Sequence, residues 1–96
     1  MPTTEMTMLK LADELGSVLT TRTLAEDLRA RVEAAAATND VVLDFEGVDA
    51  IAPSFADELF AKLPPHLTQS GRVRFENLSE DLLALVRFVV ANRAAS

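Results

Sequence analysis

The sequence predicts a small α/β domain: a parallel or mixed sheet of about three or four strands carrying about three main helices. Three observations point there. Strand-like and helix-like segments alternate along the chain, in the order strand, helix, strand, helix, strand, helix. The run Val41-Val42-Leu43-Asp44-Phe45 is almost continuously apolar, the pattern of a strand buried on both faces, as in a parallel sheet. The segments between the strand-like runs are long enough for helical crossovers, which parallel strands require. The 96 residues make a single domain spanning residues 1–96.

Taken in order, Thr7-Met8-Leu9-Lys10-Leu11 loosely alternates and reads as a first strand. Gly16 breaks the chain, and Ser17 to Thr21 is loop or a second short extended piece. Thr23 to Ala37 reads as a helix. Thr23 with Glu26 fits a capping box, and Leu24, Leu28, Val32 and Ala35 share a face. Thr38-Asn39-Asp40 ends it, Val41 to Phe45 follows as a strand, and Glu46 to Ile51 is loop. Pro53-Ser54 opens a second helix with Ala56, Leu59, Phe60 and Leu63 inward, and Pro64-Pro65 stops it. Ser70-Gly71 is a turn, Arg72 to Glu76 a strand, and Asn77 or Ser79 caps a last helix to about Arg93.

Composition narrows the function. There is no cysteine, so no disulfide framework, thiol nucleophile or cysteine-ligated zinc site is available. Fifteen acidic residues against nine basic ones give a formal charge of −6, which repels phosphate. With five phenylalanines, no tryptophan and no tyrosine there is no platform for stacking bases, so no nucleic-acid partner is expected. No apolar run approaches about 20 residues, and the N-terminal residues carry no basic or apolar leader, so a cytoplasmic protein without a membrane partner is expected.

Chemistry-bearing residues concentrate after the central strand, where open parallel sheets place binding sites beyond the strand carboxyl ends. Ser54, three residues before Asp57, has the spacing of an N-cap in a capping box. Asp57 and Glu58 suit a helix start, and Glu58 is spaced to pair with Lys62. Arg22, next to the first helix start, gains nothing from the dipole there. It is expected to form a structural ion pair with Asp57 or Glu58. Asp44, Glu46, Asp49, Asp57 and Glu58 form an acidic set, but no calcium-loop spacing or phosphate-binding glycine loop accompanies it, so no metal or other cofactor is assigned. His66 stands alone in a proline loop without a serine or second ligand nearby. In the last helix Leu82, Leu85, Val86 and Val89 make one stripe, while Leu83, Phe88 and Val90 lie off it as a candidate oligomer interface.

The stretch from Val42 to Phe60 resembles the signature of a STAS-like family of unknown function, small bacterial relatives of anti-sigma-factor antagonists. Its marks are Asp44-Phe45-x-Gly-Val and Ser54-Phe55-Ala56-Asp57-Glu58. Gly16, Leu19 and Arg22 resemble the Gly-x-x-Leu-x-x-Arg leading into that family's first helix, and Asn77-Leu78-Ser79 resembles the Asn-Leu/Met-Ser after its last strand. The resemblance implies a STAS-like fold. In anti-sigma-factor antagonists a strand ends in Asp-x-x-Gly-Val, and an Asp-Ser-Ser-Gly turn then opens a helix. The second serine of that turn is phosphorylated by the partner kinase. Laying Asp44 to Val48 on that strand puts Ser54 at the second serine. Here Ala52-Pro53 replaces the Asp-Ser, Phe55 replaces the glycine, and two carboxylates lie one turn away. A phosphoserine carries about −1.5 to −2 charges, which those carboxylates oppose.

A non-catalytic regulatory domain is therefore expected, binding a protein partner through Glu46, Asp49, Ser54, Phe55, Asp57 and Glu58, with Ser54 a candidate phosphosite. The resemblance implies an anti-sigma factor or histidine-kinase-type ATPase as partner. Two alternatives stand beside it: a metal-dependent hydrolase or phosphatase using the acidic set, and an oligomerisation module using the C-terminal helix, which would make the chain a homo-oligomer.

Overall fold

The computed structural model describes residues 5–95, with side chains to residue 91; the first four residues, on which the expectation about a leader falls, lie outside the described residues, as does residue 96. The elements are β1 (Met6–Lys10), α1 (Leu11–Leu15), β2 (Val18–Leu19), α2 (Arg22–Ala36), β3 (Asp40–Asp44), β4 (Ala50–Ile51), α3 (Pro53–Ala56), a π-helical turn (Asp57–Ala61), α4 (Pro65–Gln69), β5 (Val73–Glu76) and α5 (Glu80–Ala95). The fold is the expected small α/β architecture.

The main sheet is three-stranded in the order β1-β3-β5, and every pair is parallel. Both crossovers step in the same direction, so right-handed connections put their helices on one face. That face carries Leu9, Val41, Leu43, Phe45 and Val73, all buried. Phe45, Phe60 and Phe75 meet there, with ring centroids 4.9 to 6.4 Å apart. The central strand is buried on both faces, as its apolar run predicts.

Several boundaries differ from the sequence expectation. The first strand stops at Lys10, because Leu11, Ala12 and Leu15 follow helical spacing and Leu11 turns into the core. Val18–Leu19 pairs in parallel with Ala50–Ile51, so the open choice at Ser17 to Thr21 falls to strand, and the loop after β3 is shorter than expected. Helix α2 begins earlier: Thr21, in extended backbone, accepts a hydrogen bond from the Leu24 amide at 3.2 Å, and the Thr23–Glu26 box does not form the cap. Its buried face is Ala25, Leu28, Val32 and Ala36, with Leu24 and Ala35 at the margin. Thr21→Ala is therefore expected to cost about 1 kcal/mol, and Thr23→Ala no more than about 0.5 kcal/mol, measured by urea unfolding.

Ser54 does not cap α3 either. Ala52 occupies that position and Pro53 sits at the first helical turn, where its missing amide costs nothing. Pro65 likewise opens α4, so the proline pair both ends one helix and starts another. Ser79 caps α5, its hydroxyl accepting from the Leu82 amide at 3.2 Å.

Candidate functional site

The site is built at the carboxyl ends of β2, β3 and β4. The Asp44 carboxylate at the end of β3 accepts from the Glu46 amide at 2.9 Å and from Asn77 Nδ2 at 2.8 Å. Asn77 reaches it from a left-handed backbone, φ 60°. The Asn77 bond and the Glu46 amide hold the Asp44 carboxyl below its ordinary range. Gly47, at φ 84°, turns the chain next to Ala12, and Val48 drops into the core. Glu46 and Asp49 are left exposed on either side.

The Asp49 amide donates to the Ser17 carbonyl at 2.8 Å, seating β4 beside β2. Leu19 and Ile51 point inward, while Val18 and Ala50 point outward, and Val18 is 53% exposed. The hydroxyl of Ser54, a half-buried residue, donates to the Thr20 carbonyl at 3.4 Å in an exposed setting and links the start of α3 to the end of β2. The exposed rim therefore consists of Val18, Glu46, Asp49 and Ala50, with Ser54 at its inner edge.

Beneath it lies a charge network. Arg22 Nη1 is 3.6 Å from Asp57 and 3.6 Å from Glu58, so it approaches both carboxylates named as its partners. Glu58 is 1% exposed, in the π-helical turn. Lys62 Nζ donates to Glu58 Oε1 at 2.9 Å and lies 2.6 Å from Oε2 without aligning a hydrogen bond to it. The Lys62 hydrogen bond is the main reason the Glu58 carboxyl stays below the ordinary glutamate range, against the opposing effect of burial. The Lys62 charge, Glu26 and Arg22 add to the lowering. A wide π turn is a recurrent feature of functional helices. Here it carries a buried anion between two cations.

Both lowered carboxyls have the same pH signature. The unfolded chain takes up protons near pH 4, before the folded one does. Stability from Glu58 and Asp44 is thus complete above that range and is lost as pH falls through and below it. Urea midpoints followed from neutral pH to about pH 3 should fall steeply for wild type. The fall should be shallower for Glu58→Gln and for Asp44→Asn. An unchanged slope in either variant would contradict that carboxyl's role.

The structure corrects part of the expected contact surface. Phe55 is fully buried, because it lies one helical turn before Leu59 and faces the same core. Glu58 is buried under Arg22 and Lys62. Neither side chain meets solvent, whereas Asp57 keeps a quarter of its side chain exposed. The acidic set does not converge: among the described residues no group of three or more His, Asp or Glu is placed to hold a metal ion. His66 is exposed on α4, on the wall of an open groove with Glu33, Leu67 and Arg72. That groove lies at the amino end of the sheet, away from the rim.

On α5 Leu83 is half-buried, Phe88 is 63% exposed and Val90 is 41% exposed. At about 100° per residue, Phe88 and Val90 project on opposite flanks of the helix. The three therefore do not form one interface patch. Two features of the site carried no readable signal. Val18 sits in a two-residue strand too short for periodicity, and the π turn has no sequence signature of its own. No described helix is long and apolar enough to cross a membrane.

The family model for the STAS-like domain of unknown function (DUF4325) matches residues 25–83. That span runs from the first turn of α2 to the start of α5, and includes β3, the Gly47 loop, the helix after Pro53 and β5. No curated protein and no solved structure matches the chain. With well over half of its length inside that match, the chain belongs to the STAS-like domain of unknown function family.

Proposed function

We propose that this domain is a non-catalytic regulatory module that binds a protein partner at the rim formed by Val18, Glu46, Asp49 and Ser54, with Asp57 and Arg22 at its border. The observation that carries the reading is Val18: a large apolar side chain more than half exposed, held in a paired strand, and flanked by exposed carboxylates. An apolar centre with a polar border is the usual anatomy of a protein interface. The rim needs no ordering on binding, because Asp44, Gly47 and the β2–β4 pair already fix its backbone.

The Arg22–Glu58–Lys62 network, built on the buried Glu58 carboxylate, serves as its foundation, tying the start of α2 to the π turn. Ser54 works in this reading as an unmodified contact. Its hydroxyl donates to the Thr20 carbonyl, and Asp57 lies one turn on, so a phosphate there would lose that bond and meet a carboxylate. The partner class to test first is an anti-sigma factor or histidine-kinase-type ATPase of a cytoplasmic partner-switching system, with a basic surface suited to Glu46 and Asp49. Titration calorimetry against such an ATPase domain should show binding weakened at least tenfold by Val18→Glu. Glu46→Lys should mainly slow association. Unchanged affinity in a folded Val18→Glu variant would remove the rim from the interface.

A further inference from the structure

The groove between α2 and α4 lies away from the rim and has a volume of about 440 Å³, within the range of small-ligand sites. Ala36, Pro64 and Leu67 give it an apolar lining. Three charged or titratable side chains share its wall: Glu33 from α2, His66 from α4, and Arg72 just before β5. Arg72 is set in place by the fold. Its Nε donates to the Ala36 carbonyl at 2.8 Å and so caps the end of α2, whose last turn holds no basic residue of its own. Its Nη1 lies 3.8 Å from Asp40, too far for a hydrogen bond. Among the described residues Nη2 makes no hydrogen bond. Glu33 meets one cation, Arg29, which donates to Oε2 at a long 3.5 Å, and 37% of the Glu33 side chain stays exposed. The His66 imidazole has no hydrogen-bond or ion-pair partner among the described residues. Glu33 stands three residues before Ala36, so the anchor points of the anionic and cationic groups are about 5 Å apart along α2.

We infer that this groove binds a free α-amino acid with an aliphatic side chain. The charges on its wall select that class. A bare anion would face Glu33, Asp40 and the carbonyl end of α2, in a chain with a formal charge of −6. A bare cation would face Arg72 and Arg29. A zwitterion satisfies both signs, its ammonium on Glu33 and its carboxylate on the free Arg72 donors. An α-amino acid carries both groups on one carbon, which suits anchor points less than a helical turn apart. Its aliphatic side chain then covers Ala36, Pro64 and Leu67. The inference is independent of the rim and of any protein partner there.

The probe is L-leucine, titrated into the full chain and followed by the imidazole resonances of His66, the single histidine. The expected result is a saturable shift with half-saturation at or below about 1 mM. N-acetyl-leucine lacks the ammonium and leucinamide lacks the carboxylate; each should bind at least tenfold more weakly, because each leaves one charged groove residue without its partner. Arg72→Gln should weaken leucine at least tenfold. Since that variant also loses the cap on α2, Glu33→Gln provides the second arm: it should abolish the preference for leucine over N-acetyl-leucine while leaving the unfolding midpoint near that of wild type. Absence of a saturable shift by about 10 mM would overturn the inference. So would equal binding of leucine and either blocked form to wild type, an intact preference in Glu33→Gln, or tighter binding of the dipeptide alanyl-leucine, whose charges stand further apart. The rim variant Val18→Glu should bind leucine as wild type does, so loss of partner binding and loss of leucine binding are read separately.

Discussion

Phe55→Ala is expected to lower the unfolding free energy by about 3–5 kcal/mol, the usual cost of removing a buried aromatic ring. Phe55 is fully buried between the start of α3 and the core. For a domain whose total stability is about 5–15 kcal/mol, that loss would leave part of the population unfolded at ambient temperature. Urea unfolding measures it directly. A loss under about 1 kcal/mol would mean the ring is not packed as described. Phe55→Leu separates packing from recognition. It keeps most of the volume, should cost no more than about 1.5 kcal/mol, and should leave partner binding intact. A folded Phe55→Leu variant with lost binding would restore Phe55 to the contact surface.

Gly47→Val is expected to destabilise by about 2–4 kcal/mol, for two separable reasons. The backbone at φ 84° is one that side chains rarely adopt, and a Cβ there would stand 3.1 Å from the Ala12 Cβ. Left-handed strain alone costs about 1–3 kcal/mol. A double-mutant cycle divides the two. Ala12→Gly should relieve the contact in Gly47→Ala and leave the backbone strain untouched. An additive cycle would show that the Ala12 contact does not matter. Because Gly47 turns the chain between Glu46 and Val48, the same substitution should also displace the exposed carboxylates of the rim.

The elements with long periodic or continuous apolar runs were legible in the sequence. The Val41–Phe45 run marked the central buried strand, and the apolar spacing marked both α2 and the helix after Pro53; the inward face after Pro53 is as expected, while that of α2 is rotated so that Ala25 and Ala36 are buried and Leu24 and Ala35 lie at the margin. Short elements were not. Two residues of β2 and two of β4 carry no period, and their pairing depends on the Ser17 carbonyl meeting the Asp49 and Ala50 amides across the fold. Cap assignment slipped because Thr21 and Thr23 are chemically equivalent candidates, and only backbone geometry chooses between them. Similarly, Ser54 had the right spacing for a capping box, but Pro53 moved the helix start back to Ala52.

In the candidate site, the approach of Arg22 to Asp57 and Glu58 was readable from charge placement, whereas the depth of Glu58 was not. A carboxylate in a helix start reads as exposed. It is buried here because the π turn directs it beneath Arg22, while Lys62 closes over it from one turn further on. Phe55 could have been recognised as core from its four-residue spacing to Leu59. Its neighbours in the family signature drew it toward the contact surface instead.

The measurement that tests the central claim most directly is affinity purification of the native complex from the protein's own source. It compares wild-type bait with a folded Val18→Glu, Asp49→Lys bait and a Phe88→Ser bait, and maps phosphosites on the same samples. The account predicts one protein partner that is retained by wild type and by Phe88→Ser and lost from the rim variant, with Ser54 unmodified in the complex. Retention of that partner by the rim variant, together with its loss from Phe88→Ser, would contradict the account and assign the interface to α5.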